Sequence, residues 1–169
     1  MNRTELQQIL SEFAADRVSL LQRHEAGARA VSHYDFNNTY QYVINREETQ
    51  LTWMQSALAE YGAVLPSATS AALPVPEAPT TKKKIEVSAY RSILEDDARY
   101  LGAFVETWRP RVDEMSHARH RTMLNVVLGE SMEHKRLFEQ AALGFEDLLG
   151  RRTAGAERVG AVLPTRWLE

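Results

Sequence analysis

Five residues of the chain, His24, Glu47, Asp97, Glu130 and His134, are of the types that hold transition metals or move protons. Carboxylate oxygens and imidazole nitrogens together suit divalent iron, manganese and zinc, and carboxylate-bridged two-metal sites use this donor mixture. The stretch GESMEHKRLFE, residues 129–139, holds Glu130 and His134 four apart, a spacing that stacks two side chains on one helix face. Buried together, such groups are costly unless they pair with one another or bind a cation. Which of these happens depends on the elements that position them.

The sequence reads as helical on both sides of a proline-rich stretch. Four of its six prolines, Pro66, Pro74, Pro76 and Pro79, cluster there, and no strand-like alternating run bounded by turn residues occurs. A first helix is expected over about 3–32, with Leu6, Leu10, Phe13, Leu20 and Val31 on one face. HYDFNN, 33–38, forms the turn, with Asp35, Asn37 and Asn38 as capping candidates. The second helix runs to about Tyr61 and stops at Gly62; its stripe is Phe36, Tyr40, Val43, Met54, Leu58 and Tyr61. The third starts near Ser88, carries Tyr90, Leu94, Leu101, Phe104 and Trp108, and is kinked or ended by Pro110. The fourth spans about 117–149, with Met123, Val127, Phe138, Ala141 and Phe145 inward.

At about 100° per residue, the five polar residues fall on these apolar stripes. His24 points where Leu6 points, about five turns later, and Arg17 shares that stripe nearer one end. Glu47 lies close to the direction of Phe36 and Met54, and Asp97 between Tyr90 and Leu101. Glu130 and His134 flank the line through Met123 and Ala141, whereas Glu25, Glu48, Glu95 and Asp96 turn away. The connector AVLPSATSAALPVPEAPTTKKKI, 63–85, decides the topology. Extended at about 3.1 Å per residue it reaches roughly 70 Å, against about 40 Å for a helix of some 26 residues. It can therefore start the third helix at the end where the second began, which puts all five residues at one level. Two separate hairpins on a flexible linker are the alternative, at the cost of apolar stripes left in water. For the layer itself two readings stay open: one bound metal site, or a metal-free set of ion pairs such as His24 with Glu47 and Asp97 with His134.

Composition bounds the rest. A chain of 169 residues, 44% hydrophobic and 25% charged, is long and apolar enough for a single globular core. A net charge of −3 gives no basic face for nucleic acid. Having no cysteine excludes disulfides, thiolate metal sites and a thiol nucleophile. No apolar run approaches membrane-spanning length and the N-terminus lacks a signal-peptide core, so a cytoplasmic protein is expected, with no membrane or nucleic-acid partner. No Ser/His/Asp arrangement or glycine-rich phosphate loop is present.

With acidic residues and histidines on facing helices and a long crossover, residues 3–149 resemble the ferritin-like superfamily, nearer its rubrerythrin-type branch. NREETQLTWM, 45–54, is similar to the family's second-helix segment and GESMEHKRLFE to its fourth. The resemblance implies an all-α fold, a ferritin-like four-helix bundle of two antiparallel helical hairpins over 1–149, with the crossover at 63–87. It also implies iron, as one or two ions, held by Glu47, Glu130 and His134 with His24 and Asp97, manganese or zinc being the other candidates. Such a site would oxidise Fe(II) or reduce an oxygen species. The sequence departs from the family pattern at named positions: His24 beside Glu25 where the first helix supplies a Glu, Gln50 where the second supplies a His, Asp97 for a Glu, and His134 one residue late, Glu133 taking its place. The alternative class is a metal-free scaffold or partner-binding module whose polar layer is structural.

Other segments read more plainly. Trp53 and Trp108 suit packing or an interface, and exposed apolar flanks such as Trp53 suggest a homodimer or larger homo-oligomer. TKKK, 81–84, keeps the crossover solvated, and SHARHR, 116–121, reads as solvated loop, with a surface metal site as its alternative. Residues 150–169 read as a flexible tail, whose VGAVLP, Trp167 and Leu168 could dock on a protein partner.

Overall fold

The computed structural model describes residues 2–69, 73–74, 76–77, 79 and 87–150. The tail beyond Gly150, TKKK and parts of the crossover lie outside the described residues. Within them the fold is all-α, with no strand: α1 is Arg3–Ala30, α2 Tyr34–Ala59, α3 Arg91–Asp113 and α4 Ala118–Ala142, α3 being led in by a 3-10 turn at Val87–Tyr90.

The helix ends follow from local chemistry. Asn2 Oδ1 accepts the Glu5 N–H at 2.9 Å while Glu5 Oε2 accepts the Asn2 N–H at 2.8 Å, a capping box that starts α1. Asn37, expected to cap α2, instead donates to the carbonyls of Ala28 (2.7 Å) and Val31 (3.1 Å) and closes the end of α1. α2 starts at Tyr34 with His33 as an N-cap that makes no side-chain bond. Gly62, at φ 73°, turns the chain so that Ala63 N–H reaches the Leu58 carbonyl at 3.1 Å. α3 does not end at Pro110 but continues through it to Asp113. α4 stops at Ala142, short of the expected 149, because Gly144 takes φ 88° and turns the chain out; Phe145, expected inward, is 58% exposed.

α1 packs along α2 and α3 along α4, with lighter contacts of α1 on α3 and α2 on α4. Ser32 Oγ and Tyr90 OH, 2.6 Å apart, place the start of α3 beside the α1–α2 turn. At the other end, Trp108 Nε1 donates to Asp16 at 2.8 Å, and Arg119 at the start of α4 pairs with Glu60 at the end of α2. α2 and α3 therefore run in the same direction. The core is continuous from Leu10 and Phe13 through Tyr40, Met54, Leu101 and Trp108 to Phe138, and each large side chain so buried contributes about 1.5–3 kcal/mol. Gly27 leaves room for the Tyr40 ring of α2 against α1: a Cβ there would lie 2.6 Å from Tyr40 Cε1. No helix among the described residues is long and apolar enough to cross a membrane.

Candidate functional site: a buried polar layer

α1 contributes Arg17, Arg23 and His24 to the interior, all under 5% exposed. Arg17 and His24 are seven apart and share a face, about two turns of helix. Arg23 lies on the adjoining edge with Leu20, Gly27 and Ala30, at i, i+3 and i+4 steps that bury it against α3. Glu47 and Gln50 of α2, three apart, are both fully buried. Asp97 of α3 and Ser131 and His134 of α4 complete the layer.

The layer resolves into two linked groups. His24 Nδ1 lies 2.8 Å from Glu47 Oε1, and Arg17 Nη1 approaches the same oxygen at 3.4 Å. Arg17 also donates to Gln50 Oε1 at 2.5 Å and to Ser131 Oγ at 3.2 Å, and the Ser131 hydroxyl donates to the Val127 carbonyl at 2.8 Å. The second group centres on Asp97. The Tyr40 hydroxyl donates to Oδ2, and Arg23 Nε stands 3.1 Å from Oδ1, close enough for charge attraction but out of line for a hydrogen bond. Glu130 sits at the rim, where Arg46 and Gln50 both donate to it, so Gln50 joins Arg17 to Glu130.

Of the five residues singled out in the sequence, His24 and Glu47 are thus paired directly. Asp97 and His134 are not: Asp97 faces Arg23 and Tyr40, and His134 stands edge-on to the Tyr42 ring at 6.0 Å with Nδ1 unpartnered. Glu130 is half-buried, its carboxylate turned toward Arg46. Sequence reasoning missed Arg23, and for Tyr40 it favoured a core aromatic over a place near the polar layer, which the hydrogen bond to Asp97 gives it. The signal for Arg23 was the small-residue edge it shares with Gly27 and Ala30, which lets a second helix approach.

Electrostatics follow burial and these partners. Burial pushes the Glu47 carboxyl up, but His24 and then Arg17 outweigh it and leave it below the usual range. Burial raises Asp97, against the pull of His24, Arg23 and the Tyr40 hydrogen bond. Burial, and then the charge of Asp97, lift the Tyr40 phenol well above its ordinary value. Burial lowers Arg17, with Glu47 and Glu130 acting in the opposite sense. Burial, followed by the Arg17 charge, holds His134 at about 4, a neutral imidazole at neutral pH.

These residues do not fit a two-metal centre as they are arranged. Among the described residues, the group of three histidine or carboxylate side chains whose ligand atoms all lie within 4.8 Å of one another is His33, Asp35 and Glu146, and it includes none of the five. Two guanidiniums already face the two buried carboxylates, so a divalent ion would bring excess positive charge into a dry layer. The second histidine pair is likewise engaged within the chain. His117 Nδ1 accepts the His120 N–H at 3.3 Å, the rings stack at 4.0 Å, and buried His120 meets the Tyr61 hydroxyl at 3.1 Å. Trp53 is half-buried with the Arg46 guanidinium 5.9 Å from its ring.

The geometry therefore offers charge compensation, hydrogen bonding across all four helices and, in His134, a neutral buried imidazole. No family model, curated protein or solved structure matches the chain.

Proposed function

We propose that this chain is a ferritin-like four-helix bundle that works as a metal-independent interaction module, its buried polar layer closing on its own charges. The observation that carries the reading is the pairing of Arg17 with Glu47 and of Arg23 with Asp97, four groups all under 5% exposed. A buried guanidinium is desolvated at a cost of several kcal/mol and is retained only against an anion or good acceptors. Here the anions come from other helices, so the charges are compensated in one packing of the helices and not in others, although Arg23 Nε and Nη1, Glu47 Oε2 and Asp97 Oδ1 make no hydrogen bond. That is the use of a buried ion pair with the best physical support. The module then presents its outer helix faces to partners, while the interior stays fixed.

A second reading, a bound transition metal at Glu47, Glu130 and His134 with His24 and Asp97, has one observation behind it. His24 Nε2, Glu47 Oε2 and His134 Nδ1 are buried atoms of the kinds that ligate metals, without hydrogen-bond partners. Elemental analysis of tag-free protein, before and after anaerobic Fe(II) addition, decides between the two. The proposal expects no stoichiometric metal and no thermal stabilisation by Fe(II). Roughly one or two irons per chain, lost in Glu130→Ala, would overturn it in favour of the carboxylate metal centre.

A further inference from the structure

Outside the polar layer, three side chains of metal-binding type meet at one end of the bundle. His33 is the N-cap of α2, Asp35 stands in its first turn, and Glu146 follows α4, where Gly144 at φ 88° turns the chain. One ligand atom from each lies within 4.8 Å of those of the other two. His33 Nε2 is 3.4 Å from Glu146 Oε1, beyond the usual N–H···O range of about 2.7–3.2 Å. Two ligands on one tetrahedral zinc, with bonds of about 2.0–2.1 Å, lie about 3.3–3.4 Å apart. Nδ1 of the same imidazole is buried without a hydrogen-bond partner, and the ring packs against Phe36, centroids 4.3 Å apart, which fixes its plane. Beside the cluster, Asp35, Asn38 and Asp147 line a cavity of about 10 Å³, room for one water or ion. Asp35 and Glu146 also have other partners in the chain, and a carboxylate, with two oxygens, keeps such a contact while giving an oxygen to a metal.

We propose that His33, Asp35 and Glu146 bind one zinc ion, which ties the segment after α4 to the turn between α1 and α2. The donor set selects the metal. Calcium and magnesium take oxygen ligands, whereas an imidazole with two carboxylates suits zinc. The two positive charges of zinc meet two carboxylates here, which outweigh the positive end of the α2 dipole, equivalent to about half a charge. Three protein ligands leave the fourth tetrahedral position to water. The Glu146 side chain is 42% exposed, so the ion exchanges with solvent and is supplied in the test rather than carried through purification. Iron(II) stands below zinc in affinity at such a site. The site shares no residue with the polar layer, and it stands or falls independently of how that layer is read.

Calorimetric titration of zinc chloride into the tag-free full chain tests this. One zinc per chain is expected, together with a higher melting temperature in its presence. His33→Phe keeps a ring against Phe36 and removes both nitrogens; Glu146→Gln removes one anionic ligand. Each should weaken zinc binding at least about tenfold, since even partners outside the ligand shell are worth about 10–100-fold. Glu130→Ala, in the polar layer, should bind zinc as wild type does. Circular dichroism checks that the variants fold. No zinc bound by wild type, binding unchanged in His33→Phe, or binding lost in Glu130→Ala would each overturn the inference. Iron held through Glu130 would overturn the metal-free reading of the layer and leave this site untouched, whereas a wild type that binds no zinc would do the reverse.

Discussion

Replacing Arg17 with methionine tests whether charge holds the buried layer. The guanidinium is fully buried, donates to Gln50 at 2.5 Å and Ser131 at 3.2 Å, and stands 3.4 Å from Glu47. Methionine keeps much of the apolar stem, so the loss is chiefly polar. Removing one partner of a buried pair costs about 3–5 kcal/mol, because the other charge is stranded. Glu47 retains His24 at 2.8 Å, which places the expected loss near the lower end, about 3 kcal/mol. At about 2–4 °C per kcal/mol for a chain of this size, the melting temperature should fall by about 6–12 °C. Urea unfolding of Arg17→Met, Glu47→Gln and the double variant isolates the pair. With Glu47 neutral nothing is stranded, so the double variant should be more stable than the two single losses summed, by at least about 1 kcal/mol. Additivity within about 0.5 kcal/mol, or an Arg17→Met protein as stable as wild type, would refute the charge-pairing argument.

Three further outcomes are expected. His134 is held at about 4 when folded against 6.5 when unfolded, so the unfolded chain binds the extra proton between those values. Its contribution, about 3 kcal/mol by this shift, is present above pH 6.5 and lost as pH falls toward 4; urea titrations should show His134→Gln flattening the stability profile there, and parallel profiles would contradict it. Gly27→Ala should destabilise by about 1–3 kcal/mol despite alanine's better helix propensity, since the new Cβ would meet the Tyr40 ring at 2.6 Å; a stabilised variant by thermal unfolding would show that the helices simply part. Tyr40→Phe should cost about 1–3 kcal/mol by leaving Asp97 without its hydroxyl donor, and a neutral result would mean that Arg23 suffices.

The four helices were legible because their apolar residues recur at helical spacing over long spans, and the Gly62 stop because glycine takes positive φ at little cost. The inward direction of His24, Glu47, Asp97 and His134 followed from the same periodicity, and all four are at most 1% exposed. The ends were less legible. Asn37 has the chemistry of a cap, yet which helix it caps depends on how α1 and α2 fold back on each other. Gly144 sits inside an apolar pattern that continues to Leu149, so periodicity overran the break. The partners within the layer were least legible. Direction along one helix says that Asp97 is inside, but not that Arg23 of another helix waits there. The long stem of an arginine lets its charge reach a place its backbone direction does not mark.

The order of the layer's bonds in the chain has a kinetic consequence. Short turns join α1 to α2 and α3 to α4, so each hairpin forms from contacts near in sequence, whereas Tyr40–Asp97, Gln50–Glu130 and Arg17–Ser131 span 57, 80 and 114 residues. Closing the longer loops costs entropy before those bonds form, so the bonds are expected to complete after the transition state. A chevron plot of Tyr40→Phe, whose lost bond to Asp97 joins the two hairpins, should then show its change on the unfolding limb, with refolding nearly as in wild type. The apolar stripes would govern how fast the chain arrives at its native state, and the polar bonds between the hairpins how long it stays there.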